Sequence, residues 1–172
     1  MRKLRAWCET PIGPLRITGT AEGIEEVVFV RRSARGSPAV PPELRPAVRQ
    51  LEEYFRGGRR EFTVGLALSG TGFQKTVWSE LVKIPYGSTA TYGGIAAALG
   101  RPGAARAVGG ANHRNPVSII VPCHRVVGAG SDLTGYGGGL WRKRWLLDHE
   151  RSGALKGRRP APAGKADRRD GE

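Results

Sequence analysis

A thiol, an imidazole and a guanidinium stand in succession at Cys123-His124-Arg125, directly after the apolar run Ile119-Ile120-Val121 and Pro122. A thiolate is the best soft nucleophile a protein supplies, and an imidazole can take its proton. Pro122 fixes the backbone before the cysteine, and Arg125 adds positive charge that favours thiolate. Two readings compete. A free cysteine is usually buried and inert, and neighbouring side chains on an extended chain point opposite ways, so adjacency does not establish contact. Cys8, near the N-terminus, is the only other cysteine. Two such distant thiols assemble neither a disulfide framework nor a four-ligand zinc site, so no metal is expected.

The elements that must position this motif fall into two groups. Leu4 to Trp7, Leu15 to Thr18 and Ile24 to Val30 are short β-branched or aromatic stretches separated by Pro11, Gly13, Pro14 and Gly23, which predicts a strand meander. After a break over Ser33 to Pro42, the residues Leu44, Val48, Leu51, Tyr54 and Phe55 recur at helical spacing until Gly57-Gly58. Phe62, Val64, Leu66 and Leu68 alternate as a strand would. From Thr71 the period becomes helical: Thr71 caps a stripe of Phe73, Val77, Trp78, Leu81 and Val82, closed by Ile84-Pro85-Tyr86-Gly87. Thr91 caps a second short helix through Ile95 and Leu99. Gly100-Arg101-Pro102 is a turn that places proline first in a third helix, ending near Ala111. Two short helices joined so closely suggest a helix-turn-helix, although such pairs also arise from plain packing. A last helix spans Leu140 to Glu150. Beyond it the chain is rich in Pro, Gly, Ala and Arg without apolar periodicity, which predicts disorder.

A length of 172 residues with 39% hydrophobic content suits one domain or two small ones sharing an interface. The net charge of +13 points to a polyanionic partner, since basic surface gains affinity for phosphate chains by releasing their counterions. Residues 151 to 172 hold seven Lys/Arg against three Asp/Glu, and residues 1 to 150 hold 21 against 12, so the folded part is basic without the tail. A merely solvated basic surface is the alternative. No apolar run approaches a membrane span, and Met1-Arg2-Lys3-Leu4-Arg5 lacks the apolar core of a secretion signal, so a cytoplasmic protein is expected.

The motif and its surroundings resemble the O6-alkylguanine-DNA alkyltransferases. Ile119 to Val127 resembles their active-site signature. The likeness continues upstream through Phe73-Gln74, Val77-Trp78, Ile84 to Gly87, Thr91-Tyr92-Gly93, Arg106-Ala107-Val108-Gly109 and Asn115-Pro116, and downstream through Gly135-Tyr136, Gly138-Gly139, Leu146-Leu147 and Glu150. It is close from Thr71 to Glu150 and only architectural before that. The resemblance implies an α+β fold: a small N-terminal α/β domain of ribonuclease H-like type over residues 1–70, then a mainly helical domain over 71–150 with a helix-turn-helix of winged-helix type. A basic tail, 151–172, lies outside the family core.

What the resemblance implies about chemistry concerns particular residues. Cys123 would take the alkyl group irreversibly, in a stoichiometric reaction without a cofactor. Glu150 would orient His124, which acts on the thiol through a water and brings it to titrate below a free thiol. As a bare sequence feature Glu150 reads equally well as a helix-end charge. Tyr92 would give a proton or hydrogen bond to the departing guanine, Tyr136 would line the pocket, and main chain at Cys123, Val126 and Gly137 would read the base edge. Asn115 would brace the active-site turn. The lesion lies inside stacked DNA and must be turned out, and Arg106 would fill the gap, with Ala107 and Gly109 letting its helix approach the groove. The implied partner is double-stranded DNA containing O6-alkylguanine. The implied state is a monomer, with cooperative binding along DNA left open.

Three other functions remain open at this level: a lesion-binding relative without chemistry, whose motif lacks the cysteine present here; a helix-turn-helix regulator with a structural cysteine; and a cysteine hydrolase. The sequence also departs from the family at His113-Arg114, where relatives carry a smaller pair, and Cys8 lacks the companions of the zinc site found in some animal relatives.

Overall fold

The computed structural model describes residues 2–33 and 39–156. Strands β1 (Leu4–Cys8), β2 (Leu15–Thr20) and β3 (Gly23–Phe29) form an antiparallel sheet in that order. Alternation puts Ala6, Cys8, Leu15, Ile17 and Val27 on the buried face, and a register shift at Thr18/Gly19, which leaves Glu25 unpaired, brings Ile24 onto it as well. Helix α1 (Arg45–Phe55) covers that face with Ala47, Leu51 and Tyr54, and stops before Gly57, whose φ of 79° suits glycine. Part of the predicted break, residues 34–38, lies outside the described residues.

The strand expected over Phe62 to Leu68 is not formed. The segment touches β3 through one bridge, Ile24 with Leu66, and two hydrogen bonds: Ile24 N–H to the Gly65 carbonyl and Ala67 N–H to the Ile24 carbonyl, both 2.9 Å. Gln50 of α1 claims the next donors, accepting from Thr63 N–H at 2.9 Å and donating to its hydroxyl at 2.8 Å. A backbone group held by a helix side chain cannot extend the ladder.

Helix α2 (Gly72–Val82) starts at a reciprocal cap. Thr71 Oγ1 accepts from Gln74 N–H, and Gln74 Oε1 accepts from Thr71 N–H. Of its expected stripe, Val77, Trp78 and Leu81 are buried and Phe73 is partly so, but Val82, at the end of the helix, is exposed. After β4 (Ala90–Thr91), Thr91 caps α3 (Tyr92–Ala98) by accepting from Gly94 N–H at 3.0 Å. The third helix, α4 (Ala105–His113), begins later than expected. Pro102 is not its first residue. Arg101 to Ala104 form a separate turn closed by Ala104 N–H on the Arg101 carbonyl, and the helix starts only after it. Trp78 Nε1 donates to the Ala111 carbonyl at 2.9 Å, fixing α2 to α4.

The chain then enters a 3₁₀ turn at Cys123–Arg125 and β5 (Val126–Val127), which pairs in parallel with β4. Helix α5 (Leu140–Lys156) runs six residues past Glu150, where the sequence reading ended it, so the tail cannot begin at Arg151. Residues 157–172, most of the expected disordered tail, lie outside the described residues. Among the described residues no helix is long and apolar enough to cross a membrane. The architecture is α+β: a sheet-and-helix N-terminal unit followed by a mainly helical one.

Candidate active site

The cysteine is presented by a strained loop. Val117 to Val121 folds so tightly that Val121 N–H reaches the Val117 carbonyl at 3.0 Å and Ile120 N–H reaches the Ser118 carbonyl at 2.9 Å. Ile119 takes up the bend with φ at 73°, a region that a β-branched residue occupies at a penalty, and its buried side chain is what holds it there. Asn115 ties this loop from within. Its Oδ1 accepts from Val117 N–H at 3.0 Å, and its Nδ2 donates to the Val121 carbonyl at 2.8 Å. Asn112, on α4, donates to the Cys123 carbonyl at 3.4 Å, a contact that sequence reasoning missed.

Behind the thiol stands a buried carboxylate with five donors. Glu150 Oε1 faces His124 Nε2 at 2.7 Å and accepts from the Tyr54 hydroxyl at 2.7 Å and Arg125 Nη2 at 3.0 Å. Its Oε2 accepts from Arg125 Nε at 2.9 Å and Gly87 N–H at 3.1 Å. Burial alone would push the carboxyl up. The neighbouring His124 and Arg125 outweigh it and hold the group well below the usual carboxylate range. His124 is itself fully buried, and burial lowers its pKa against the pull of Glu150. Its Nδ1 has no hydrogen-bond partner among the described residues. Glu150 is therefore no solvated helix-end charge.

Two expectations need correction. Arg125 does not act on the thiol: its guanidinium is committed to Glu150 and, through Nη1, to the Ile84 carbonyl at 2.6 Å. The cation that draws the Cys123 pKa down is Lys143, on α5, fully buried and donating to the Thr134 carbonyl at 2.7 Å. Nor does the thiol titrate below its ordinary value at rest. Burial pushes it up, and contact with Asn115 and the charge of Lys143 offset this only in part. Lys143 was legible in principle, because it stands at helical spacing from Leu146, Leu147 and Glu150 on a stripe that is otherwise buried.

The remaining expected residues surround this centre. Tyr92, first in α3, donates its hydroxyl to the Thr134 carbonyl at 3.1 Å, so Tyr92 and Lys143 hold one carbonyl from two sides. Tyr136 is buried, and its hydroxyl has no partner among the described residues. Burial first, and then the nearby Cys123, keep it well above the ordinary tyrosine range. Arg142 holds the adjoining loop by donating to the Gly138 carbonyl and to the Ile12 carbonyl, both at 2.7 Å, while stacking on Phe29. Gly137 is exposed, with nothing within 4 Å of where a Cβ would stand. Val126 is buried in β5, and its N–H is already committed to the Cys123 carbonyl.

Arg106 and Ala107 are exposed on the first turn of α4. Gly109 follows on the same helix with its Cα facing the Tyr92 ring. A groove of about 670 Å³ runs between Tyr92, Arg106, Gly109, His113, Thr134 and Gly135. His113, noted as a departure, thus opens onto the same groove as Arg106. No cluster of three or more His, Cys, Asp or Glu able to hold a metal is found among the described residues.

A buried thiol backed by a carboxylate–imidazole pair, and linked through Lys143 and the Thr134 carbonyl to the groove that Tyr92 and Arg106 line, defines a class: a cysteine centre joined to a helix-turn-helix. Comparison with known proteins makes this specific. Residues 72–152 match the profile of the 6-O-methylguanine DNA methyltransferase DNA binding domain, and residues 4–68 match that of the ribonuclease-like domain of the same proteins. A methylated-DNA–protein-cysteine methyltransferase of Methanosarcina acetivorans is 50% identical over 151 residues, covering 84% of this chain and 96% of its own. The crystal structure of the O6-methylguanine methyltransferase of Mycobacterium tuberculosis superimposes with a TM-score of 0.79 at 46% identity, over 88% of this chain and 94% of that one. The Mycobacterium tuberculosis OGT protein in complex with DNA gives 0.78 at 49% identity, over 86% and 92%. The chain belongs to the 6-O-methylguanine DNA methyltransferase family.

Proposed function

We propose that this protein repairs duplex DNA by moving the alkyl group of an O6-alkylguanine onto Cys123, once per molecule. Methyl transfer from O6-methylguanine in DNA to a protein cysteine is the activity of the family, and DNA is its partner. The observation that supports Cys123 as acceptor is its setting: a braced, strained turn with Glu150 and His124 behind it and Lys143 beside it. In the resting protein the thiol keeps its proton. With the damaged base in place, His124 takes that proton at Nδ1, directly or through one water, while Glu150 steadies the imidazolium at Nε2. The sulfur pair forms the S–C bond as the C–O6 bond breaks, and its electrons pass into the guanine ring, which takes a proton or hydrogen bond from the Tyr92 hydroxyl. The resulting thioether is stable, and no second thiol stands near to remove the group.

In this reading the base enters through the groove beside Tyr92, and Arg106 fills the space it leaves in the stack, with Ala107 and Gly109 allowing α4 close approach. Tyr136 and the main chain at Val126 and Gly137 meet the base, Val126 through its carbonyl because its N–H is engaged. The protein acts in the cytoplasm as a monomer, without metal or cofactor. Residues 157–172 carry five Lys/Arg against three Asp/Glu and add salt-dependent affinity for phosphates without sequence preference.

Incubation with duplex DNA holding one O6-methylguanine, followed by peptide mass mapping, tests the assignment. One methyl on Cys123 and none on Cys8 is expected, since burial pushes the Cys8 thiol up to about 12. Label on Cys8, or repeated turnover, contradicts it.

A further inference from the structure

Glu150 receives one of its donors from outside the helical domain. Tyr54 lies on α1, within the residues matching the ribonuclease-like domain, and is fully buried. Its ring is fixed edge-on by Phe55 at 5.3 Å and Tyr86 at 6.1 Å, and is tilted against Phe62 and His149. So held, the hydroxyl has one target. It donates to Glu150 Oε1 over 2.7 Å, and that same oxygen faces His124 Nε2 at 2.7 Å. We propose that Tyr54 is a positioning residue of the alkyl-transfer relay, its hydroxyl sharing Oε1 with His124 and so setting how strongly the carboxylate pulls on the imidazole. The inference rests on the reading of Glu150 and His124 given above, and it makes the N-terminal domain a working part of the site.

Tyr54 and His124 compete for a single oxygen, Glu150 Oε1. A hydroxyl donating to a carboxylate makes a short, strong hydrogen bond and withdraws charge from the oxygen it meets. Burial and the adjacent Glu150 keep the Tyr54 hydroxyl protonated well beyond the ordinary tyrosine range, so it remains a donor throughout the working pH. Without it, Oε1 becomes a stronger acceptor for the His124 N–H. The imidazolium is then favoured, and the neutral base that must take the Cys123 proton becomes scarcer. The charged and titratable groups around His124 are Glu150 and Lys143 from α5 and Cys123 and Arg125 from its own turn; behind Glu150 stand Tyr54 from α1 and Tyr86 from the loop before β4. Arg125 neutralises the carboxylate with or without the tyrosine, so removing the hydroxyl changes the sharing of Oε1 rather than stranding a charge.

The test uses the full chain in four forms: wild type, Tyr54→Phe, 3-fluorotyrosine at position 54 as a stronger donor of nearly the same size, and Val48→Ala. Val48 also lies on α1 and packs against the core, but it takes no part in the Glu150 hydrogen bonds. Two quantities are read: the titration of the His124 ring protons by NMR, and the single-turnover rate of methyl transfer from duplex DNA between about pH 5 and about pH 9. In Tyr54→Phe the His124 midpoint and the acid limb of the rate profile should both rise by about one pH unit, a roughly tenfold loss on the acid side that recovers at high pH. The fluorotyrosine form should shift both downward, and Val48→Ala should shift neither. An unmoved His124 titration in both Tyr54 forms, or an equal shift in Val48→Ala, overturns the proposal. Should Tyr54→Phe fail to fold, the fluorotyrosine form decides alone. Absence of methyl on Cys123 in the wild type overturns the functional reading instead, and the NMR comparison still decides whether Tyr54 and His124 are coupled.

Discussion

Replacing Lys143 with methionine keeps most of the side chain's length and apolar stem while removing the ammonium. In the fold that ammonium is fully buried, donates to the Thr134 carbonyl at 2.7 Å and neighbours Cys123. Burial lowers its pKa from 10.5 to about 8, against the opposing influence of Cys123. A fall of that size weakens folding by about 3 kcal/mol wherever the lysine is charged. The unfolded chain keeps its proton up to 10.5 while the folded chain releases it near 8, so between these values the unfolded state binds more protons and stability rises with pH. Methionine abolishes this rise. It also leaves the Thr134 carbonyl with the Tyr92 hydroxyl alone, a loss of about 1–3 kcal/mol for a hydrogen bond from a charged donor.

Lys143→Met should therefore be as stable as wild type, or up to about 2 kcal/mol more stable, near neutral pH, and should fall about 1 kcal/mol behind near pH 10. Its chemistry should suffer at neutral pH and below, and progressively less above about pH 8, where the folded lysine has given up its charge. Lys143 draws the Cys123 thiol down against burial, and each further unit of thiol pKa removes about tenfold of the thiolate, so methyl transfer near neutral pH should slow about tenfold. Urea unfolding of both proteins across this range, paired with single-turnover transfer, separates the two effects. A stability difference that does not change with pH would show that the lysine is not buried as a charge. An unaltered transfer rate would remove it from the chemistry.

Arg106→Ala should slow repair of duplex DNA while free O6-alkylated guanine reacts at close to the wild-type rate, because only the duplex requires a base to be turned out; equal losses on both would make Arg106 a support of the fold. Asn115→Ala leaves the Val117 N–H and the Val121 carbonyl without their side-chain partner in a loop already strained at Ile119, so it should cost about 2–4 kcal/mol in chemical denaturation and slow transfer. A loss under about 1 kcal/mol would show that the loop holds itself. Glu150, whose folded carboxyl lies below its unfolded value of 4.5, contributes stability that is complete above that value and is lost progressively as pH falls from it toward the folded value. Glu150→Gln should thus be destabilised by about 3–5 kcal/mol at neutral pH and show a flatter acid slope, and an unchanged slope would contradict the buried ion pair.

The parts of this molecule that the sequence disclosed are those governed by local pattern. The three strands, the Thr71 and Thr91 caps and the Val77, Trp78 and Leu81 part of the α2 stripe follow from periodicity and capping chemistry and formed where those rules place them, while Val82 of the same stripe faces solvent. Errors occurred where a distant side chain decided the outcome. Alternation over Phe62 to Leu68 could not show that Gln50 would take the Thr63 N–H; the departure at Pro102 is of another kind, a local turn closed between Arg101 and Ala104 ahead of the helix. The site divides in the same way. Cys123 and His124 are adjacent in the chain and could be read directly, whereas Tyr54 meets Glu150 across 96 residues and carries no local mark of doing so. Sequence proximity pairs Arg125 with the thiol, but the fold offers its guanidinium a buried carboxylate with matching fork geometry.

The raised pKa of the resting thiol bears on how such a site can be safe as well as reactive. A protein whose acceptor forms a stable thioether is consumed by any electrophile that reaches it, so a standing thiolate would be a liability. Burial of Cys123 keeps the proton on sulfur until a base able to take it and an alkyl carbon able to receive the sulfur pair are present together. The two buried charges of α5 serve opposite ends of that requirement. Lys143 limits how far burial can raise the thiol, while Glu150 lies two turns further along the same helix face and stabilises the imidazolium that forms when the proton leaves. Because one rigid helix carries both, a change that tilts α5 alters thiol and base in concert. The Tyr54 hydroxyl and the Arg142 contacts to Ile12 and Phe29 hold that helix against the N-terminal domain. This gives the sheet-and-helix unit, which contributes no residue to the groove, a physical reason to accompany the helix-turn-helix.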